Sequence, residues 1–321
     1  SPHLGVMKKS NNPLLYPLSW LYGLGVGLRN FLFNQGILKQ QAYPIPLICV
    51  GNITVGGTGK TPHVELLISI LHKQYRIAVI SRGYKRKSRG LREVTLTSTA
   101  EEVGDEPKQI KQKYPEVRFI VDGNRRRAMR YLLALPEEER PEVVLLDDGF
   151  QHRYVQPSFN ILLIDAQREL HDDELLPLGG LREPATARYR ADCIILTKCP
   201  HDMPPIKLRI MQRNLDLYAH QKIFFSRIHY QQPRAVRTLF GEAGSPLPKD
   251  ALVIALSGIA SPGLFFSYLD ERYELIDQLV YPDHHQFRRK DFTAISVRWQ
   301  ELCEQHSGRP VYIVCTEKDA V

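Results

Sequence analysis

Cysteine is scarce in this chain and shows no pairing pattern. The 321 residues hold five, Cys49, Cys193, Cys199, Cys303 and Cys315, an odd number with no CxxC spacing. Most sit inside apolar runs, which argues against a disulfide framework or a zinc site and for buried, reduced thiols. An unbroken apolar run of about 20 residues, the length that a spanning helix needs, is also missing. The nearest stretch, residues 13–33, is interrupted by Pro17, three glycines and Arg29. No A-x-A-like cleavage site follows it, so a signal peptide fits poorly. Internal repeats and low-complexity tracts are absent. The charge balance of 43 basic against 35 acidic residues leaves +8 and favours anionic partners. No nucleic-acid module and no aromatic ladder accompanies the basic runs, so nucleic acid ranks last among them.

What is present is enough apolar sequence for one large domain and a smaller one. Short β-branched runs alternate with segments of helical periodicity. This pattern calls for an α/β fold with a mostly parallel sheet and helices on both faces. Strands are expected at residues 45–53, 77–81, 117–121, 143–147, 160–165 and 193–197, with helices at 62–71 and 124–135. A further strand-helix alternation runs from residue 251 to 315. The Pro-, Gly- and Arg-rich residues 230–250 read as a linker or hinge. The expected division is therefore 1–38, an apolar N-terminal segment; 39–229, the main domain; 230–250, the linker; and 251–321, a smaller α/β domain. The first segment is rich in Trp, Tyr, Leu and Phe, with Lys8 and Lys9 before it. It suits a helix lying in a membrane interface as well as one capping the core.

The strongest local signal is ICVGNITVGGTGKTP, residues 48–62. It reads as a strand, then a loop of Thr54, Val55, Gly56, Gly57, Thr58, Gly59, Lys60 and Thr61, then a helix with Pro62 in its first turn. Glycines let backbone N–H groups converge on phosphate oxygens, and the helix N-terminus adds a favourable dipole. Lys60 is expected to neutralise terminal phosphates and Thr61 to hold Mg²⁺. The strict GxxxxGK[ST] pattern wants glycine where Thr54 stands. A second element, VVLLDDGFQH, runs four apolar residues into Asp147 and Asp148. Carboxylates at the end of a parallel strand beside a phosphate loop are what Mg²⁺ needs. Which of the two ligates the metal stays open, and so does base preference, because no NKxD-like piece is clear.

Seven pieces in order, GNITVGGTGKTP, SRGYKRKS, VGDEP, LDDGFQH, LPLGGLREP, YPDHH and TEKDAV, resemble the tetraacyldisaccharide 4'-kinases from residue 51 to the chain's last residue. The resemblance implies a P-loop NTPase-like fold and transfer of the ATP γ-phosphoryl group to the 4'-hydroxyl of a lipid A disaccharide 1-phosphate. It also implies ATP and Mg²⁺ as cofactors and a peripheral position on the cytoplasmic face of the bacterial inner membrane, the N-terminal segment meeting the anionic surface. The family usually continues past KDAV with a further helix. By the same resemblance Asp105, assisted by His284, accepts the hydroxyl proton, with Lys60 as the third catalytic residue. Read from the residues alone, Asp105 would be a helix N-cap and His284 a surface turn residue. Arg82, Tyr84, Arg125 and His152 are weaker candidates for phosphate, metal-shell or substrate contacts, as are Arg182 and Glu183 for substrate or metal. Two rival readings keep the loop: a peripheral ATPase or GTPase switch, and a kinase of a small polar metabolite.

Overall fold

Parallel strands need crossover connections, and the helical segments between the apolar runs supply them. The computed structural model describes residues 12–168, 170–235, 244–259, 262–283 and 285–319. The chain divides into two compact units, with the boundary in sequence between Ile228 and His229.

The larger unit carries β1 (Leu47–Gly51), β2 (Ile77–Ser81), β3 (Arg92–Glu93), β4 (Arg118–Val121), β5 (Val143–Asp147), β6 (Phe159–Asp165), β7 (Cys193–Thr197) and β8 (Lys222–Phe225). They form one sheet in the order β3-β4-β2-β5-β1-β6-β7-β8. All neighbours pair in parallel except β3, which meets β4 antiparallel at the edge. Every residue of β2 and β5 is buried, as expected where helices cover both faces. Side chains alternate between those faces. Leu47 and Cys49 join a core with Met129 and Leu132, whereas Val50 joins the other core with Val64 and Ile68.

The helices of this unit are α1 (Leu15–Asn34), α2 (Lys60–Leu71), α3 (Ala100–Val103), α4 (Asp105–Lys113), α5 (Arg125–Leu133) and α6 (Pro205–Leu215). From β1 the chain passes through α2 to strands on one side, then returns to β6 on the other. β1 is thus the switch point of strand order, and the loops beyond its C-terminal end open a crevice. Strands β2, β5 and β7 fall where expected, and the other expected boundaries shift by at most two residues. The strand at 45–53 shortens to Leu47–Gly51, and the helix at 62–71 begins at Lys60. The edge strand β8 and helix α6 were not among the expected elements. Their many exposed positions dilute the apolar pattern on which such expectations rest.

Pro17 lies in the first turn of α1, where its missing N–H costs nothing. This helix docks by its polar side. The Ser19 hydroxyl donates to Leu175 O at 2.8 Å and the Tyr22 hydroxyl to Arg182 O at 2.8 Å. Arg29 donates to Gln151 O at 2.8 Å and Asn30 to the Glu183 carboxylate at 3.1 Å. The opposite side exposes Leu18, Leu21, Leu24, Leu28 and Phe31, and Trp20 is 65% exposed. Between α1 and Leu175 and Leu178 lies an open trough of about 660 Å³.

The smaller unit has a three-stranded parallel sheet with β9 (Leu252–Ser257) between β10 (Glu274–Val280) and β11 (Val311–Cys315). α7 (Gly263–Asp270) and α8 (Arg289–Gln305) make the crossovers, and β9 is wholly buried. The expected residue His284 lies outside the described residues, as do Lys8 and Lys9.

Candidate active site

The loop that leaves β1 turns sharply before α2. Gly59 caps the helix at φ +85° and Gly56 sits at φ +103°, conformations that favour residues without a Cβ. Thr54, which stands where the strict pattern has glycine, is buried and forms an isolated bridge with Leu181. The next residue, Val55, donates its N–H to Gly180 O at 2.8 Å. The threonine is therefore tied into backbone pairing and the glycine-rich turn follows it. Thr58 Oγ1 accepts from the buried Asn52 amide at 2.8 Å.

Lys60 Nζ lies 3.4 Å from Asn52 Oδ1 and 3.4 Å from Asp148 Oδ1. Arg182 Nη1 approaches both oxygens of Asp148 at 3.4 Å. Burial alone would raise the Asp148 carboxyl, but Lys60 and Arg182 outweigh it and hold the group below its ordinary value. Asp147, paired in register with Val50 of β1, has the opposite fate. Burial, reinforced by the Glu106 and Asp148 charges, pushes its carboxyl up to about 7 against the pull of Lys60 and the Ser81 hydroxyl. Its Oδ1 is buried without a hydrogen-bond partner. A carboxylate oxygen shielded from water is costly unless a cation or donor meets it. Mg²⁺ takes one or two carboxylates and completes its shell with phosphate and water oxygens, so this donor set fits it. Among the described residues no cluster of three or more His, Cys, Asp or Glu could hold a metal ion.

The remaining expected residues fall around this centre. Gly104 is the N-cap of α4 and Asp105 its first helical residue, exposed, so the N-cap alternative for Asp105 does not hold. Glu106, not anticipated from sequence, is the α4 carboxylate whose charge acts on Asp147. Arg125 is 3% exposed and donates to Asp122 O at 2.9 Å, its Nε buried without a partner. The charges of Asp147, Asp148 and Arg82 all act on it. His152 Nε2 is buried without a partner; burial first, then Arg125, Arg29 and Arg126, drive its imidazole down to about 4. Glu183 is buried, accepting from Arg190 at 2.8 Å, from Asn30 and from Gln151. Tyr84 is 61% exposed with the Lys85 ammonium 5.6 Å from its ring centre. Asn52, fully buried, and Gln151, half-buried, were also not anticipated; their place inside the motif pieces GNITVGGTGKTP and LDDGFQH is the signal that could have singled them out.

A family model described as tetraacyldisaccharide-1-P 4'-kinase matches residues 11–321. The tetraacyldisaccharide 4'-kinase of Porphyromonas gingivalis is 51% identical over 310 residues, covering 97% of this chain and 85% of that protein. The one from Parabacteroides distasonis is 46% identical over 316 residues, covering 96% and 83%. Among solved structures, LpxK from Aquifex aeolicus in complex with ATP superposes with a TM-score of 0.66 at 30% identity. That match covers 94% of this chain and 87% of the other.

Proposed function

The chain belongs to the tetraacyldisaccharide-1-phosphate 4'-kinase family, and from that premise we propose how its own residues carry out an ATP-dependent phosphoryl transfer. It is a lipid A biosynthesis kinase. The acceptor is the 4'-hydroxyl of a tetraacyldisaccharide 1-phosphate. The observation that carries the reading is the convergence of Lys60, Asp148 and the unpartnered Asp147 Oδ1 at the ends of β1 and β5.

The backbone N–H groups of residues 54–61 hold the phosphates, and Lys60 balances charge that builds up on the transferring group. Its resting contact with Asp148 keeps the ammonium pointed at the crevice. Thr61, Asp147 and Asp148 would hold Mg²⁺, which would supply positive charge to the phosphate oxygens. Arg182 and Arg125 supply further positive charge to the two aspartates. Asp105 receives the acceptor's proton; its exposed carboxylate at the start of α4 is open to an incoming sugar. The part assigned to His284 rests on the family resemblance.

Substrate chemistry also gives α1 its purpose. Among the described residues no helix is long and apolar enough to cross a membrane. A helix that turns polar residues inward and leucines outward suits the headgroup boundary of a bilayer. We place the protein peripherally on the cytoplasmic face of the inner membrane, α1 immersed and the trough beside it available to acyl chains. The exposed basic residues Lys85, Lys87 and Arg89 add attraction to anionic lipid of about 1 kcal/mol each.

The test incubates the protein with γ-labelled ATP, Mg²⁺ and detergent-dispersed tetraacyldisaccharide 1-phosphate. Label is expected in lipid, and lost with Lys60→Ala and with Asp105→Ala. Release of free phosphate alone, unchanged by Asp105→Ala, would overturn the acceptor chemistry.

A further inference from the structure

Four carbonyl groups of the phosphate loop are held from behind by side chains that lie outside the motif or at its edge. Arg168 Nη1 donates to Val55 O at 2.9 Å, and the Lys198 ammonium donates to Gly57 O. Thr197 Oγ1 donates to Thr58 O at 2.9 Å. His63 Nδ1 meets Gly59 O at 2.6 Å; a carbonyl only accepts, so this nitrogen carries the proton, and Nε2 faces Ser226 Oγ at 2.9 Å. A trans peptide is planar, so its C=O and N–H point in opposite directions. Fixing these carbonyls therefore turns the N–H groups of Gly56, Thr58, Gly59 and Lys60 the other way. Those are the donors that a phosphate would use.

From this geometry we infer that Lys198 and Arg168, anchored by Asp165 and Asp173, are positioning residues that pre-set the phosphate loop for the ATP phosphates. The inference rests on the nucleotide-loop reading above and extends it to residues far away in sequence. Lys198 is 7% exposed and ion-pairs with Asp165 at 3.1 Å. It adopts φ +56°, a conformation that a residue with a Cβ keeps only where its surroundings demand it. Register explains how it arrives there. Asp165 and Thr197 are partners at the ends of β6 and β7, so Lys198 is the first residue beyond a strand end that faces the loop.

Arg168 pairs with Asp173 at 2.6 Å, and both side chains are mostly buried. The same crowding accounts for a glycine in LPLGGLREP. A Cβ on Gly180 would collide with Arg168 Nη2. Buried ion pairs are poor stabilisers, since apolar replacements are often as good or better. Two such pairs, each spending a hydrogen bond on a loop carbonyl, are instead suited to aiming. Their charges also polarise the peptides they hold, which strengthens the N–H groups on the other side.

The experiment uses the full chain. MgATP binding is measured by calorimetry, and lipid phosphorylation is followed with ATP varied at saturating acceptor and the reverse. Lys198→Met and Arg168→Met are expected to lower kcat/KM for ATP by roughly 10- to 100-fold, the range for residues that orient a binding group. The acceptor KM should stay within about twofold, since neither residue is placed at the acceptor. Arg168→Lys, which keeps a donor and a charge, should recover much of the loss, and Asp165→Asn should give a smaller one. If Lys198→Met does not fold, Arg168→Met and Asp165→Asn decide the matter. Unchanged kcat/KM for ATP, or ATP and acceptor KM moving together, overturns the proposal. A Lys60→Ala control separates the two levels. If it alone loses MgATP, only the positioning role fails; if it binds MgATP normally, the phosphate-loop reading fails with it.

Discussion

Replacing Asp147 by asparagine should make the ligand-free protein more stable while abolishing its activity. The Asp147 carboxyl is buried, and desolvation with help from Glu106 and Asp148 lifts it from 3.8 to about 7. A group raised on folding binds its proton more tightly when folded. Its stability contribution is fully present below pH 3.8 and is lost as pH rises through 7. At 1.36 kcal/mol per pH unit, this carboxyl costs the fold about 2 kcal/mol at pH 5, where it stays protonated while the unfolded chain's is ionised, and about 4 kcal/mol at pH 8.5, where it is ionised in both. Asparagine has nearly the same shape and no such cost. For a unit of this size, about 4 kcal/mol corresponds to roughly 8–16 °C in thermal midpoint.

The assay is a pair of thermal scans without nucleotide or metal, wild type against Asp147→Asn, at pH 5 and pH 8.5. The variant should melt higher at both, with the gap widening at pH 8.5. Saturating MgATP should narrow the gap by stabilising wild type preferentially. A variant that melts below wild type at pH 8.5, or a gap that does not change with pH, would refute the argument that desolvation sets this carboxyl.

Other expectations follow from the same structure. His152, driven by burial and three arginines from 6.5 to about 4, favours the folded state above pH 6.5, and that stability is lost as pH falls toward 4. Discounted for its partial solvent access, the loss is about 1–2 kcal/mol, and His152→Asn should flatten the stability-pH slope in urea titrations. Glu183→Ala removes the shared acceptor of Arg190, Asn30 and Gln151 and should cost about 2–4 kcal/mol by chemical denaturation, with Glu183→Gln costing less. Trp20→Glu and Leu24→Glu should each weaken sedimentation with anionic vesicles by roughly tenfold to a hundredfold, while thermal midpoints hold because both side chains are exposed.

Much of the parallel sheet was legible in sequence because strands covered on both faces read as continuous apolar runs. β5, wholly buried as VVLLD, was located without error at either end. The phosphate loop was legible because its chemistry is local: glycine where φ is positive, then Lys60 and Thr61 at the start of a helix. β8 and α6 were not, since their exposed positions carry no periodic apolar signal. Asp147 and Asp148 could be named as candidates from their motif and Asp105 only from the family resemblance, but sequence could not say that the two neighbouring aspartates would titrate in opposite directions. That depends on which one faces Lys60 and Arg182 and which points into a dry interior.

The N-terminal segment shows the same division. Its composition suits an interface helix or a core cap equally, because composition does not say which side of a helix faces the protein. Only the folded chain brings Leu175, Gln151, Arg182 and Glu183 to one surface and so draws the polar side of α1 inward. The sequence determined most of the parallel strands and the glycine turn before Lys60, which are set by apolar runs and local backbone preference. Tertiary structure alone decided the charge state of Asp147, the outward face of α1 and the grip of Lys198 and Arg168 on the loop, each of which depends on groups brought together from separate parts of the chain.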